Sequence, residues 1–214
     1  MASAKTLVLV TGANQGIGFA VAKLLSSSGQ YHVLVSARSS INAQMAVEQL
    51  QNEAADKTAL TPIMLDVADD ASIEEAARGV SGQFGYLDIL INNAGIGQAP
   101  DLPVREMYRQ IFEVNVFGVA AKGYAFNANA WYAPEYCTSK AALNMITAAQ
   151  SVKFADDKIA VIAAAPGMCH TKFTGGQGRK EASDDAKVIV RAATEGNPEE
   201  LTGTYICDEP SDGW

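Results

Sequence analysis

Short β-branched apolar runs alternate with longer amphipathic stretches along the chain. Apolar runs of this kind fit buried parallel strands, and stretches with helical periodicity fit helices that cover the sheet. We therefore predict an α/β fold with a parallel sheet flanked by helices. The predicted strands are 6–10, 31–37, 60–67, 87–95, 159–166 and 203–209. The predicted helices are 16–29, about 41–55, 70–85, about 103–122, about 134–153 and about 183–193.

The composition limits the class of protein. With 48% hydrophobic and 19% charged residues, the chain is expected to be neither disordered nor membrane-embedded. No apolar run approaches the ~20 residues that span a bilayer. We expect a single domain over residues 1–214, because α/β chains of this length commonly form one core. The formal net charge of −8 argues against a nucleic-acid partner.

The cysteines and histidines favour a reducing compartment. Cys137, Cys169 and Cys207 are widely spaced and form no C-x-x-C pair, which is typical of free thiols. His32 and His170 stand alone, so we expect no histidine-rich metal cluster and no metal. The sequence therefore predicts a cytoplasmic protein.

The segment TGANQGIG joins the first predicted strand to its helix. Gly12, Gly16 and Gly18 allow a tight turn and a close backbone approach, and the helix N-terminus offers unpaired N–H groups to a pyrophosphate. The spacing is G-x-x-x-G-x-G, which differs from the better-known G-x-G-x-x-G. The segment predicts nucleotide binding, with a purely structural turn as the alternative.

The end of the second strand indicates which dinucleotide is bound. An acidic residue there would hold the two ribose hydroxyls of NAD, but this chain has Ala37 and Arg38. Arg38 can neutralise a 2′-phosphate, which favours NADP, unless it is only a solvated surface arginine. Asp66, at the end of the third strand, suits the adenine amino group or caps the next turn.

Three further residues suggest acid–base chemistry. Asn115 lies inside a predicted helix, where its amide competes for backbone hydrogen bonds, so it indicates a kink or a held water. Tyr136 and Lys140 are four positions apart and share one helix face. A neighbouring ammonium stabilises a tyrosinate and lowers the tyrosine pKa from its usual ~10, which makes proton exchange feasible. Taken alone, this spacing is also found in chance surface pairs.

The order of these motifs resembles the short-chain dehydrogenase/reductase family. TGANQGIG, NNAG (92–95), Asn115, YCTSK and PGMCHT follow one another on the predicted strand–helix frame. The SAR ending of strand two and the stretch EYCTSKAALN look most like the NADP-using, carbonyl-reductase-like members. The resemblance runs from about Thr6 to Trp214 and implies a Rossmann-type, doubly wound sheet.

The resemblance also implies roles for individual residues. Tyr136 would be the general acid in ketone reduction, and Lys140 would bind the nicotinamide ribose and lower the tyrosine pKa. Asn115 would hold a water in the proton relay, and Thr171 would contact the nicotinamide carboxamide. The residues expected to bind NADP(H) are Gly12, Asn14, Gln15, Gly16, Ile17, Gly18, Arg38, Asp66, Val67, Asn93, Ala94, Gly95, Tyr136, Lys140 and Thr171.

The chain departs from the family before Tyr136. The family uses a serine at the end of its fifth strand to hydrogen-bond the substrate carbonyl, but no serine or threonine occurs between Gly82 and Cys137. Asn115 and Tyr136 are 21 positions apart, roughly half the family spacing. We expect that the central fifth strand was cut out between about Ala120 and Tyr124.

Two explanations for this gap remain open. The segment GYAFNANAWYAP (123–134) could reach ~40 Å when extended, enough to replace the strand, although its Asn, Ala and Gly content suits a strand poorly. Alternatively, the chain reflects a shortened transcript or an edited sequence. The polar, glycine-rich stretch 167–185 is a candidate mobile lid.

Two functions follow as hypotheses. The first is an NADPH-dependent reductase of small ketones or aldehydes, impaired by the missing serine. The second is a catalytically weak NADP(H)-binding protein that acts as a sensor or partner subunit. Substrate identity and the choice between monomer and homo-oligomer stay open.

Overall fold

The computed structural model describes residues 5–97, 102–117, 134–167, 169–176, 178 and 180–207. Within these ranges, residues 134 and 137 are described by their backbone alone. The chain divides into two compact units. Unit 1 contains Met1–Ala94 and Glu181–Lys187, and unit 2 contains Gly95–Lys180 and Val188–Trp214. The single-domain organisation expected from the sequence stays a prediction.

Unit 1 holds a four-stranded parallel sheet with the order β3-β2-β1-β4. Pro62 lies in β3, at an edge of this described sheet, where a residue without an N–H is tolerated. The central strands β1 and β2 are mostly apolar and are buried beyond their first residues, as expected of a parallel sheet that helices cover on its faces. The elements are β1 (Thr6–Val10), α1 (Gly16–Ser28), β2 (Tyr31–Ala37), α2 (Ser40–Leu50), β3 (Leu60–Met64), α3 (Asp70–Phe84) and β4 (Ile89–Ile91).

The described part of unit 2 is mainly helical and contains one short parallel strand pair, β5 with β6. Its first helix changes to a π-helix at Glu113–Phe117. Helix α6 is divided between the two units after Lys187. The elements are α4 (Val104–Phe112), α5 (Pro134–Lys153), β5 (Ala163–Ala165), α6 (Ala182–Thr194), α7 (Pro198–Leu201) and β6 (Tyr205–Cys207).

The predicted parallel sheet with flanking helices is confirmed, but several boundaries were wrong. Strand β4 has three residues instead of nine, because the N–H of Asn93 bonds back to the carbonyl of Ile91 (3.0 Å) and leaves the ladder. Helix α2 ends at Leu50 instead of 55, because the N–H of Ala55 donates to the carbonyl of Ser26 (3.1 Å). Strands β3, β5 and β6 are also shorter than predicted, and α7 was not predicted.

The predicted helix 103–122 is a helix followed by a π-helix, as far as the structure describes it. The predicted excision near 120–124 and the substitute strand 123–134 fall almost entirely outside the described residues. No described helix has the length and apolarity that crossing a membrane requires.

Candidate active site

The glycine turn of unit 1 depends on backbone freedom and close packing. Gly12 and Gly16 have φ of +61° and +58°, values that L side chains rarely adopt. At Gly18, an added Cβ would lie 2.7 Å from the carbonyl oxygen of Gly12 and would overlap the amide of Asn93. All three predicted glycines are therefore needed for this turn, whether or not a nucleotide binds there.

Thr11 and Asn93 fix the turn against the end of β4. The hydroxyl of Thr11 accepts the N–H groups of Asn93 and Ala94, both at 2.9 Å. The Asn93 amide donates to the carbonyls of Thr11 (2.9 Å) and Gly12 (3.2 Å). The predicted residue Asn93 thus holds the turn, and Thr11, which is buried, was missed. A threonine directly before the first glycine was the available signal.

The N-terminus of α1 has backbone N–H groups that no capping side chain satisfies. Gln15 is the N-cap residue but makes no side-chain cap hydrogen bond, so it does not satisfy the first N–H groups of the helix. Gln15 and Gly16 are exposed, and Asn14 and Ile17 are half-buried. An uncapped N-terminus after a glycine turn can accept a pyrophosphate.

Arg38 follows the last residue of β2 and is exposed. Among the described residues, no acidic side chain forms an ion pair with it. The next residue, Ser39, caps α2 by accepting the N–H of Asn42 (3.3 Å). The guanidinium is therefore available to an anion at the carboxyl end of the sheet.

Asp66 and Val67 follow β3, and Val67 is buried. One oxygen of Asp66 accepts the N–H of Ala68 (3.1 Å), and the N–H of Asp66 donates to the hydroxyl of Ser72 (2.9 Å). The structure thus supports the turn-capping alternative for Asp66, while its second carboxylate oxygen has no such role among the described contacts.

Asn115 lies in the π-helix of unit 2 and is fully buried. Its carbonyl oxygen accepts the N–H of Ile96 and its amide donates to the carbonyl of Ile96, both at 2.9 Å. Such π-turns concentrate at functional sites. The helix is thus locally distorted at Asn115, as one of the two sequence interpretations expected, and the held water stays a prediction.

Tyr136 and Lys140 share one face of α5, as the spacing predicts. The Lys140 Nζ lies 5.5 Å from the centroid of the Tyr136 ring. Burial of the ammonium lowers the pKa of Lys140 to about 8, because the charged form loses its hydration. Lys140 as a whole is half-buried. Its ammonium can therefore lose a proton at a lower pH than an ordinary lysine.

Ser139 connects these groups and was missed by the sequence analysis. It is fully buried, accepts a hydrogen bond from the Asn115 amide (3.2 Å) and donates to the carbonyl of Tyr136 (2.7 Å). The only signal was a serine directly before Lys140. Asn115 is thereby linked to the first turn of α5.

Thr171, predicted to contact the nicotinamide, lies in a turn within the candidate lid. Its N–H donates to the hydroxyl of Thr174 (3.2 Å), and that hydroxyl donates to the carbonyl of Cys169 (2.6 Å). From the same turn, Phe173 contacts Tyr136, with ring centroids 5.3 Å apart. Phe173 carried no motif in the sequence. Gly95 lies in unit 2 with Thr171.

The predicted residues therefore fall into two groups. Unit 1 contains the glycine turn with Arg38, Asp66, Val67, Asn93 and Ala94, and unit 2 contains Gly95, Asn115, Tyr136, Lys140 and Thr171. Within the part of the chain that the structure describes, no three His, Cys, Asp or Glu side chains are grouped as metal ligands would be.

Comparison with known proteins shows the family that the chain matches. The model of the short chain dehydrogenase family matches residues 6–130 and 121–182. A relative described as "Short-chain dehydrogenase anuI", from Penicillium roqueforti, is 45% identical and aligns over 96% of this chain and 95% of its own.

Solved structures show the same fold. A short-chain type dehydrogenase/reductase from Mycobacterium marinum has a TM-score of 0.79 at 25% identity, covering 94% of this chain and 93% of its own. A 3-ketoacyl-(acyl-carrier-protein) reductase from Brucella melitensis, complexed with NADH, has a TM-score of 0.80 at 22% identity, covering 95% and 96%. At 22% identity, the similarity to the Brucella structure shows a shared fold and nothing further.

The alignments also bear on the gap before Tyr136. The alignment with the Penicillium relative extends over 241 positions, more than the 214 residues of this chain, so the relative has residues that this chain lacks. The family model matches in two pieces that meet at residues 121–130, close to the predicted excision. Because the family match covers most of the chain and the relative aligns along nearly all of it, this chain belongs to the short-chain dehydrogenase/reductase family of oxidoreductases.

Proposed function

We propose that the chain is an NADPH-dependent reductase that converts a ketone or aldehyde to the alcohol, with Tyr136 as general acid. The observation that carries the proposal is the Tyr136–Lys140 pair on α5, with the Lys140 Nζ 5.5 Å from the tyrosine ring. A positioned proton donor beside a desolvated ammonium is what protonation of a developing alkoxide requires. Membership of an oxidoreductase family is consistent with that chemistry.

The residues of unit 1 fit a phosphorylated dinucleotide. Gly12 and Gly18 let the turn pack tightly against Ala94 and Asn93, as a dinucleotide-binding turn requires, and the uncapped start of α1 favours the negative charge of a pyrophosphate. Arg38 is exposed at the end of β2, where it can contact a 2′-phosphate. These three features support NADP(H) as the cofactor.

The chemistry divides between the cofactor and the chain. The nicotinamide, when bound, supplies the hydride. Tyr136 delivers the proton to the substrate oxygen, and Lys140 stabilises the tyrosinate that remains. Asn115 fixes the π-helix against Ile96 and, through Ser139, the first turn of α5. Exact placement matters, since a displacement of about 1 Å can cost ~10²-fold in rate.

The test follows NADPH absorbance with a panel of ketones and quinones. Tyr136→Phe should abolish turnover and leave NADPH binding nearly intact, because it removes the proton donor and keeps the ring. Tyr86→Phe, at an exposed tyrosine of unit 1, is the matched control and should behave as wild type. Turnover by Tyr136→Phe near the wild-type rate would show that the proton comes from elsewhere.

A second candidate is an NADP(H)-binding protein of weak activity that acts as a sensor or partner subunit. The observation in its favour is the absence of serine and threonine between Gly82 and Cys137, which removes the family's second donor to the substrate carbonyl. Binding of NADPH by the wild type without turnover of any carbonyl compound would favour this candidate over the reductase.

A further inference from the structure

The lid turn, residues 171–176, has a defined shape. The N–H of Gly176 donates to the carbonyl of Thr171 (2.9 Å), and the chain on either side is joined where the N–H of His170 donates to the carbonyl of Lys180 (2.8 Å). Backbone bonds of this kind hold a loop in one conformation even when its tip is exposed. A side chain at the tip of this turn is therefore presented at a fixed place.

Phe173 occupies the tip of the lid turn and contacts two residues of unit 2. Its ring lies edge-on to the Tyr136 ring, with centroids 5.3 Å apart and planes at 64°. Its far carbons also lie over Gly97, where a built Cβ would be 2.9–3.2 Å from three of them. The side chain is still 45% exposed. A large apolar surface thus remains open directly beside the candidate general acid.

We propose that Phe173 forms one wall of the substrate site and selects carbonyl compounds that carry an aryl group beside the carbonyl. The inference rests on the proposed function, since it takes Tyr136 as the residue that protonates the substrate oxygen. Because the two rings are in contact, a ligand held at Tyr136 lies within reach of the exposed surface of Phe173. Covering that surface stabilises any apolar ligand, and an aromatic ligand adds an edge-to-face or offset contact.

Gly97 sets the position of this wall. An alanine Cβ at position 97 would be too close to the ring of Phe173, but Gly97 is not among the residues with positive φ. The alanine therefore displaces the ring without straining its own backbone. Loss of the ring and displacement of the ring should have the same consequence for the substrate.

The experiment compares acetophenone with cyclohexyl methyl ketone, which have the same number of carbon atoms and differ in whether the ring is aromatic. The measured quantity is the ratio of their kcat/KM values with NADPH. The intrinsic reactivities of the two ketones cancel when the ratio for a variant is divided by that for wild type. Phe173→Ala and Phe173→Leu should lower the ratio about threefold to tenfold, the range of one aromatic pair, and Phe173→Tyr should preserve it.

A double-mutant cycle tests the role of Gly97. Gly97→Ala should lower the ratio in the same direction, and adding Gly97→Ala to Phe173→Ala should have no further effect, because the displaced ring is already absent. Lys172→Ala changes an exposed neighbour in the same turn and serves as the control, with the wild-type ratio expected.

Ligand binding separates this inference from the proposed function. If the wild type reduces no carbonyl compound of the panel, the proposed function fails. In that case the affinities of 1-phenylethanol and 1-cyclohexylethanol in the presence of NADP+, measured by saturation-transfer NMR, test the wall. The same variants should then lower the affinity ratio by the same factor. A ratio that Phe173→Ala leaves unchanged, or a wild type that binds neither alcohol, overturns the inference. If the wild type is active and Phe173→Ala leaves the ratio unchanged, only this inference fails and the proposed function is unaffected.

Discussion

Unit 1 builds its glycine turn from closely packed glycines, fastened to the end of β4 by the side chains of Thr11 and Asn93, whereas unit 2 holds its candidate catalytic groups with buried polar side chains alone. In unit 1, Gly12 adopts a left-handed φ and Gly18 packs against its carbonyl so closely that a methyl group does not fit. In unit 2, the buried amide of Asn115 bonds to both backbone groups of Ile96 and to the hydroxyl of Ser139. Both arrangements need particular polar side chains, but only the first also needs residues without a side chain.

This difference suggests that cofactor binding and catalysis can be lost separately. The glycine turn is fastened by Thr11 and Asn93, which both belong to unit 1, so it should keep its shape when side chains of unit 2 change. A site built from a few buried side chains loses its geometry when one is removed, since each lost bond leaves a buried partner unsatisfied. The predictions below test whether changes in each unit affect only the function assigned to it.

The largest effect is expected from restoring the segment before Tyr136. Inserting at about residues 120–124 the residues that the Penicillium relative has there should raise kcat by ~10²–10³ if they bring back a hydroxyl donor to the substrate carbonyl. NADPH affinity should change little. The control is the same insertion with each of its serine or threonine residues replaced by alanine. A restored protein that is no faster and no more stable would show that Tyr136 works here by another arrangement.

In unit 1, Gly18→Ala should damage both stability and cofactor binding. The new Cβ would press on the Gly12 carbonyl and on the Asn93 amide, so the free energy of unfolding should fall by ~1–3 kcal/mol and NADPH affinity should fall with it. Gly79→Ala is the matched control, because nothing lies within 4 Å of a Cβ there. Because Gly79 lies inside helix α3, Gly79→Ala should raise the free energy of unfolding by ~0.5–1 kcal/mol. Urea unfolding and calorimetric titration measure both quantities.

Arg38→Asp should reverse the preference between the two cofactors. A charge-assisted contact to the 2′-phosphate contributes ~1.5–3 kcal/mol, so wild type should bind NADPH roughly tenfold to a hundredfold more tightly than NADH. The variant should lose that margin without a change in thermal stability, since Arg38 is exposed. Titration of both cofactors measures the effect, and equal affinities for wild type would refute the assignment of Arg38.

The smallest predicted effect is on pH dependence. Burial lowers the pKa of Lys140 to about 8, so kcat/KM should fall about tenfold per pH unit as pH rises above about 8 and the ammonium is lost. Unfolding is not the cause: an unfolded lysine titrates near ~10.4, so between these values the unfolded chain holds a proton that the folded chain lacks. The contribution of this group to stability therefore rises with pH. A flat rate profile from pH 7 to 9.5 would exclude Lys140 from the mechanism.

Much of unit 1 could be predicted from the sequence because its signals are local. The apolar run of β1 and the glycines after it sit together in the chain, and both were located correctly. The early end of β4 was not predictable in this way. The N–H of Asn93 bonds both to the nearby carbonyl of Ile91 and to the hydroxyl of Thr11, 82 positions away in the chain, and no local pattern encodes the second contact.

In unit 2, the sequence located the pair on α5 but not its supports. The four-residue spacing of Tyr136 and Lys140 is a property of any helix. Ser139 contacts Asn115 and Phe173 contacts Gly97, in each case on another segment of the chain. A serine or a phenylalanine in the sequence does not by itself predict such a contact. The Asn115 distortion was predictable because asparagine itself is unusual inside a helix.

The measurement that tests the reductase most directly is transfer of deuterium from the cofactor to the product. The chain is incubated with a ketone and with NADPH that carries deuterium on one or the other face of nicotinamide C4, and the alcohol is examined by mass spectrometry. The account predicts one deuterium on the carbinol carbon from only one of the two labelled cofactors, and no labelled alcohol from Tyr136→Phe, although that variant still binds NADPH. Wild type that binds NADPH but yields no labelled alcohol from any carbonyl compound, or Tyr136→Phe that yields it at the wild-type rate, would contradict the account.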